Sequence, residues 1–489
     1  MTDSLASRLF EAKLANDLAP AFVQGQTVIT HRQLRSLVVA CANQLKAMGL
    51  VGGELIGLTM GQSPLFCVTQ LALAVLGVVH LPLLPSLRRH EQINLLKNFG
   101  ASKVLTDREI DPFPGVHTFF LDNLSVATRG TAFERFEYSV GPETPLSIAL
   151  TSGTTGSPKG LLRTHASLLD RIDSSPMPLG PGARMIPPDL HQAISQCYSS
   201  GMLLHGGTLV FPASYQLESM IQAIALYGVT HLILSPAKAR EMAELLPENA
   251  GALSGVTHLR LMGGHPSPRL LNLVRTRLTP HFCSHYGSTE TGLIAVATAE
   301  MLARHPDSAG SMHLPCVAIE IVDPAGHPLD SGVIGEVRIR SRHMPAGYLN
   351  DTIASADRFR DGWFYPGDIG HFDVDGRLYL HGRSDNVINI GGHKTTAEHV
   401  EEVIELDEAI LEAAVLPVDD GEGGLALAAF VVLGLNMTLD GVSGRCAARL
   451  GVLTPKWFYK MDTLPRTESG KISRNRLRDL LQPVNAKPN

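Results

Sequence analysis

The 489-residue sequence is short of cysteine pairs, of net positive charge and of unbroken apolar stretches, and each shortage removes a class of protein. Its six cysteines (Cys41, Cys67, Cys197, Cys283, Cys316 and Cys446) are scattered, and none belongs to a Cys-x-x-Cys pair. That spacing predicts reduced thiols rather than a disulfide frame or a zinc site. A formal net charge of −6 argues against nucleic acid or an anionic membrane as the main partner. The N-terminus has no basic start followed by an apolar stretch, so no secretory signal is expected. The most apolar early segment, Leu65 to Leu84, contains Pro82 and reads as a buried helix followed by a strand, not a membrane span. No internal repeat or low-complexity tract interrupts the pattern. A soluble, cytoplasmic chain is expected.

What is present is a loop-rich composition of 44% hydrophobic and 18% charged residues, with 46 glycines and 31 prolines, which fits an α/β protein of two to four domains. Leu34, Leu37, Cys41, Leu45 and Met48 recur at helical spacing and predict an amphipathic helix closed by Gly49. Short apolar runs at Leu55–Leu58, Val78–Leu83 and Lys103–Leu105 alternate with helical patterns at Leu65–Leu76 and Arg89–Phe99. The same alternation returns as a helix at Glu218–Tyr227, a strand at His231–Leu234, a helix at Ala237–Leu246, a strand at His258–Met262 and a helix at Pro268–Leu278. Alternation at this spacing predicts parallel sheets covered by helices on both faces. After about Ser311 the strands alternate between Gly/Asp/Pro turns, as in an antiparallel barrel or sandwich, and from Asp385 a compact α/β segment runs to the end.

The most informative stretch is Thr151-Ser152-Gly153-Thr154-Thr155-Gly156-Ser157-Pro158-Lys159-Gly160, between the apolar run Ile148–Leu150 and a helix expected from about His165. Glycines let backbone N–H groups converge, hydroxyls add neutral donors and the lysine brings charge, which together describe a loop that wraps a polyphosphate. It is not the common nucleotide P-loop, because Pro158 precedes the lysine and Gly160 follows it, leaving no hydroxyl there for magnesium. A flexible linker of the same composition is the bland alternative.

Four further motifs stand in register behind it: His285-Tyr286-Gly287-Ser288-Thr289-Glu290-Thr291-Gly292; Asp361 to Asp368; Gly382-Arg383-Ser384-Asp385-Asn386 running into Gly391-Gly392-His393-Lys394; and Leu464-Pro465-Arg466 through Gly470-Lys471 to Arg474. In this order and at these separations the chain resembles the adenylate-forming superfamily of acyl-CoA ligases, peptide-synthetase adenylation domains and beetle luciferases, from Thr30 to Leu480. One departure is Pro366, where the family most often has threonine before Gly367-Asp368.

The resemblance implies a large N-terminal domain of residues 1–384, built of helix-covered parallel sheets with a small β-barrel, and a mobile C-terminal domain of residues 385–489. It implies that Thr151, Ser152, Gly153, Thr154, Thr155 and Lys159 hold the ATP phosphates, with Gly264, His265 and Gly287 beside the nucleotide. Tyr286 would lie against the adenine, Thr289 would bind the α-phosphate, and Glu290 would hold Mg²⁺ through a hard oxygen. Asp368 would accept the ribose hydroxyls, and Arg383 would reach the ribose or a phosphate. Lys471 would place a mobile ammonium between the attacking carboxylate and the α-phosphate. Asp385 would be the hinge, and Gly391 and Gly392 would line a tunnel for the pantetheine arm of the thiol. His191, Gly263 and His285 would wall the acyl pocket, with Asp189 an alternative to His191. Ala193 lies near the place where amino-acid-activating members carry an aspartate. The implied activity converts a compact acid, aryl or short and functionalised, to acyl-AMP and passes it to CoA. A carrier-loading adenylation enzyme and a catalytically dead binding relative are the alternatives. The Asp-Ser-Leu triplet of the chain, Asp3-Ser4-Leu5, stands at the N-terminus and not after Lys471 as a carrier attachment site would, so a carrier is expected to come in trans.

Overall fold

A computed structural model of the chain describes residues 3–11, 14–85, 87–121, 136–151, 158–246, 253–312, 316–342, 344–390, 393–419, 425–434, 436–467 and 470–481. Its helices begin and end where local chemistry dictates. Thr30 caps His31–Ala47 through a reciprocal box with Gln33. Ser63 caps Pro64–Leu76, and Pro64 sits in the first turn, where no N–H is needed. That helix stops at Gly77, whose φ of 70° is left-handed and costs glycine nothing. The helix Arg89–Phe99 covers the residues expected for it.

Among the described residues one sheet has six strands, in the order His117–Phe120, Lys103–Thr106, Leu55–Thr59, Val79–Pro82, Pro145–Thr151 and Lys159–Thr164. All its pairings are parallel except the last, between Pro145–Thr151 and Lys159–Thr164. A second sheet of 15 strands has a parallel centre that includes Arg184–Met185, His231–Leu234, His258–Met262 and Phe282–Ser288. Beyond Phe282–Ser288 the pairing turns antiparallel through Gly292–Thr298, Ser308–Met312, Arg377–Arg383 and Asp368–Phe372. The antiparallel segment expected after Ser311 is therefore hydrogen-bonded onto the parallel sheet rather than standing apart from it.

Alternation along the strands sorts the apolar residues into layers. Ile56, Leu58 and Leu105 of the first sheet and Phe22, Met185, Leu209 and Phe211 of the second share one core with the helices His31–Ala47, Pro64–Leu76, His165–Asp173 and Ala193–Leu204. Val79, Leu81 and Val104 face the opposite side of the first sheet, against Leu95 and Leu96. Leu232, Leu234, Leu259 and Leu261 do the same on the second, against the helices Leu217–Tyr227 and Pro236–Glu244. The result is five layers, helix, sheet, helix, sheet, helix, with the central helices Pro64–Leu76 and Ala193–Leu204 buried along almost their whole length. Each fully buried Leu or Phe there stabilises the fold by about 1.5–3 kcal/mol.

The C-terminal segment has its own cores. Strands Ile410–Asp419, Leu425–Leu433 and Trp457–Met461 form a sheet flanked by the helices Ala397–Glu405, Val442–Leu450 and Arg474–Leu481. It is docked on the large domain by a few polar contacts. Arg240 Nη1 meets Glu412 Oε1 at 2.8 Å with both side chains largely covered, and Arg269 Nη1 donates to the carbonyls of Glu408 and Ile410 at 3.2 and 3.1 Å. Gly470 lies so close to Ser235 that a Cβ on it would sit 2.7 Å from the serine Cβ.

The joint between parallel and antiparallel regions depends on one glycine. Gly310, at φ 102°, passes so near Val296 that a Cβ would overlap its backbone carbonyl. Gly310→Ala is expected to destabilise by about 2 kcal/mol or more in denaturant unfolding. Gly49→Ala, left-handed at φ 85° with open space around it, should lose only about 1 kcal/mol. Equal losses would show that backbone conformation alone, and not close approach, matters at Gly310.

Candidate active site

The polyphosphate-loop candidate is a hairpin connection rather than a strand-to-helix turn. Thr151 ends Pro145–Thr151 and pairs with Lys159, which opens the antiparallel strand Lys159–Thr164. The helix His165–Asp173 starts only after that strand, capped by Thr164. Lys159–Thr164 carries no clean strand signal, because lysine, glycine and arginine interrupt it and the consecutive Gly160 and Leu161 both face inward. Ser152, Gly153, Thr154 and Thr155 lie outside the described residues. Gly160 is needed for packing, since a Cβ there would come within 2.5 Å of the Phe99 ring.

Gly160 also accepts a hydrogen bond from the Leu349 N–H at 2.8 Å, which brings Tyr348 over the hairpin. Lys159 Nζ then stands 4.9 Å from the centre of the Tyr348 ring, and the Tyr348 hydroxyl donates to Glu290 Oε1 at 2.8 Å. Burial, followed by the charge of Glu290, pushes the Tyr348 phenol well above its ordinary range, so it remains a donor. Tyr348 was not legible in the sequence, because only the long-range bridge to Gly160 brings it here.

Thr289 and Glu290 form the turn of a second hairpin, Phe282–Ser288 with Gly292–Thr298. Gly287 cannot carry a side chain, as its Cβ would lie 2.6 Å from the Gly292 carbonyl. Glu290 is 7% exposed, yet its carboxylate borders the cleft. Four residues earlier, the Tyr286 hydroxyl donates to Asp368 Oδ2 at 2.5 Å. Burial and the charge of Asp368 push this phenol up as well. Asp368 is paired in register with Arg383, whose Nη1 lies 3.5 Å from Asp368 Oδ1 and whose Nη2 donates to Asp385 Oδ2 at 2.8 Å. Arg358, also unnoticed in the sequence, donates to the same Asp385 oxygen at 3.2 Å. Burial works to raise the Asp385 carboxyl, but Arg383 and Arg358 hold it below the usual carboxylate range. Asp385 sits in the short turn Ser384–Asn386 that leads into the C-terminal domain. Gly391 and Gly392 are outside the described residues.

Lys471 is exposed at the end of a tight turn in which Gly470 N donates to Thr467 O and Thr467 N to Lys471 O, at 2.9 and 2.7 Å. Arg466 braces this turn, donating to Gly470 O at 2.8 Å and pairing with Glu412. Arg474 is likewise spent on Glu401, at 2.7 Å, so much of the local basic cluster serves to hold the turn.

Thr151, Lys159, Tyr348, Tyr286, Thr289, Glu290, Asp368, Arg383, Arg358, Asp385 and Lys471 border one cleft of about 2550 Å³ between the two domains, and Gly263, Gly264, His265, His191 and His285 border it too. The acyl-pocket histidines are less free than their positions suggest. His191 places Nδ1 2.8 Å from Asp189 Oδ1 and Nε2 3.0 Å from the Met60 carbonyl, with its ring edge-on to Phe66. It can shape the wall, but both ring nitrogens are already engaged. Asp189 is its partner rather than a rival. His285 Nε2 lies 3.3 Å from the Cys283 thiol. The buried Arg163 and the half-buried Arg171 line the same cleft, and neither stood out in the sequence.

Known proteins share both the sequence and the shape. Residues 11–349 match the AMP-binding enzyme family and residues 399–471 match the AMP-binding enzyme C-terminal domain. An indoleacetate–CoA ligase from Aromatoleum aromaticum is 28% identical over 480 residues, covering 93% of each chain. A 2-succinylbenzoate–CoA ligase from a Geobacillus species is 28% identical over 496 residues, covering 98% of each. In structure, the O-succinylbenzoate coenzyme A synthetase of Bacillus subtilis in complex with AMP superposes with a TM-score of 0.84 at 23% identity, covering 98% of this chain and 99% of that one, a likeness of fold. Two family matches in the expected order, the first over more than half of the chain, place this chain in the AMP-binding enzyme family, the adenylate-forming superfamily.

Proposed function

We propose that the chain is an ATP-dependent acid–thiol ligase that converts a compact carboxylic acid to its acyl-adenylate and transfers the acyl group to CoA. One observation carries this reading: Lys471 on the C-terminal domain and Lys159, Glu290 and Asp368 on the large domain border a single cleft. The relatives that are CoA ligases for indoleacetate and 2-succinylbenzoate support the acceptor and a compact, aryl-bearing acid.

Asp368, braced by Tyr286 and Arg383, takes the ribose hydroxyls, with the Tyr286 ring against the adenine. Thr151 and Lys159 hold the outer phosphates together with Ser152–Thr155, and Thr289 meets the α-phosphate. Glu290 suits a magnesium ion: one carboxylate oxygen is oriented by Tyr348 and the group faces the cleft. A magnesium ion keeps most of its ligands from water and phosphate, so one carboxylate is enough, and it would neutralise charge on the leaving pyrophosphate. An oxygen of the substrate carboxylate attacks the α-phosphorus, the bond to the bridging oxygen breaks, and pyrophosphate leaves with that electron pair. Lys471 stabilises the charge that builds between them. In the second step the thiol sulfur attacks the acyl carbonyl carbon, the bond to AMP breaks, and the thiol proton is lost.

The second step needs Lys471 withdrawn and a path for pantetheine. We place the division at Asp385, between a large domain of residues 1–384 and a mobile domain of residues 385–489. Rotation there would bring Gly391-Gly392 to the cleft. The docked position of Gly470 on Ser235 is the adenylating arrangement.

With a compact aryl or short functionalised acid, ATP and CoA, equal amounts of AMP and acyl-CoA are expected over many turnovers. A bound adenylate that only a phosphopantetheinylated carrier protein can discharge would replace CoA with a carrier. Lys471→Ala should lower adenylate formation by about two orders of magnitude or more while sparing thioester formation from supplied acyl-adenylate. Equal loss in both half-reactions would remove the lysine from its assigned role. Asp385→Pro restricts φ and removes a carboxylate bound by two arginines, so adenylation should survive and thioester formation collapse. The reverse pattern would show that Asp385 is not the hinge.

A further inference from the structure

The inner end of the cleft holds more positive charge than the fold requires. Arg163, in the strand Lys159–Thr164, is 5% exposed and borders the cleft. Its Nη1 donates to the Ala193 carbonyl at 2.7 Å, and its Nε has no hydrogen-bond partner. Arg260, 3% exposed, does not itself border the cleft but donates at 2.8 Å to the hydroxyl of Tyr198, which does, and its Nε is also without a partner. Arg171 joins them from the helix His165–Asp173, donating to the main-chain carbonyl of Glu290 at 3.1 Å. All three cations act on one thiol, that of Cys197, where burial pushes the thiol up and the three guanidinium charges oppose it.

Among the described residues no carboxylate pairs with Arg163 or Arg260. Burial, then the charge of Arg171, pushes Arg163 down to about 9, which still leaves it a cation at neutral pH. A buried cation met only by a carbonyl is strongly unfavourable unless an anion joins it. A merely structural role does not account for it, since a neutral amide could hold the Ala193 carbonyl without burying charge. The planar guanidinium fits a carboxylate through two parallel hydrogen bonds.

We propose that the acid carries a second carboxylate, and that Arg163, with Arg171 beside it, binds this group at the inner end of the cleft. The inference rests on the ligase reading and narrows its substrate to a compact dicarboxylic acid. The carboxylate near Thr289 and Lys471 is the one adenylated, and the one at Arg163 stays ionised and unreacted.

The test is ATP–pyrophosphate exchange by the full chain with phthalate, homophthalate, glutarate and adipate, each against its monoamide, which keeps the shape and loses one charge. Benzoate and phenylacetate complete the panel. At least one diacid should exceed its monoamide about 30-fold or more in kcat/KM. Arg163→Met should bring that ratio to within about 3-fold at unchanged KM for ATP, and Arg163→Lys should keep part of it. A structural role would lower both members of a pair alike. If Arg163→Met does not fold, the unaltered protein decides: with ATP, the preferred diacid raises Tm and its monoamide does not. Exchange as fast with monoamides or monoacids overturns the second-carboxylate site and leaves the ligase standing. No exchange with any acid in the panel overturns both.

Discussion

A lysine side chain can act on a phosphate in a deep cleft only if its backbone comes close, and at Lys471 that closeness rests on a contact no wider than a glycine. Gly470 lies against Ser235 at the start of the helix Pro236–Glu244, with no room for a Cβ between them. Arg466 holds the turn, and Arg240 meets Glu412 a short way off. Polar contacts of this kind suit a domain that, as proposed, comes away after each adenylation. The cores on either side are separate, so undocking exposes little apolar surface.

The proposed hinge and the proposed nucleotide site share one guanidinium. Arg383 reaches Asp368 with one nitrogen and Asp385 with the other, while Tyr286 holds the far oxygen of Asp368. Rotation at Asp385 therefore disturbs an ion-pair network that touches the proposed ribose ligand directly. A second network runs from Lys159 through the Tyr348 ring to Glu290 and links the phosphate hairpin to the proposed magnesium ligand. Both networks are assembled from hairpins that meet along the edge of the cleft. Loops carried on rigid sheets suit such a site, because the scaffold fixes their relative positions.

The elements with strong periodicity were legible in the sequence: Arg89–Phe99, His231–Leu234 and His258–Met262 fall where apolar spacing placed them. Among the described motif residues, Thr151, Lys159, Tyr286, Thr289, Glu290, Asp368, Arg383 and Lys471 border one cleft. What could not be read depends on long-range register. Lys159–Thr164 looked like loop because glycine, lysine and arginine interrupt it, and its strand character comes from pairing with Pro145–Thr151. Tyr348 and Arg358 carry no local signature, and only the fold brings them to Glu290 and Asp385. His191 stood out by position, but the chemistry of its neighbours, a carboxylate and a carbonyl, could be known only from the structure. Arg163 belongs to no motif, and its burial without a described carboxylate partner is visible only in the structure.

The central claim is that adenylation requires Gly470 seated on Ser235, and a double-mutant cycle on that contact tests it most directly. Gly470→Ala places a methyl group 2.7 Å from the Ser235 Cβ and 2.8 Å from its Oγ, and Ser235→Gly removes both atoms. The account predicts that Gly470→Ala lowers ATP–pyrophosphate exchange, that Ser235→Gly alone changes it little, and that the pair together recovers part of the lost rate, the remainder reflecting the left-handed φ of 80° at Gly470. Losses that simply add in the double variant would contradict it.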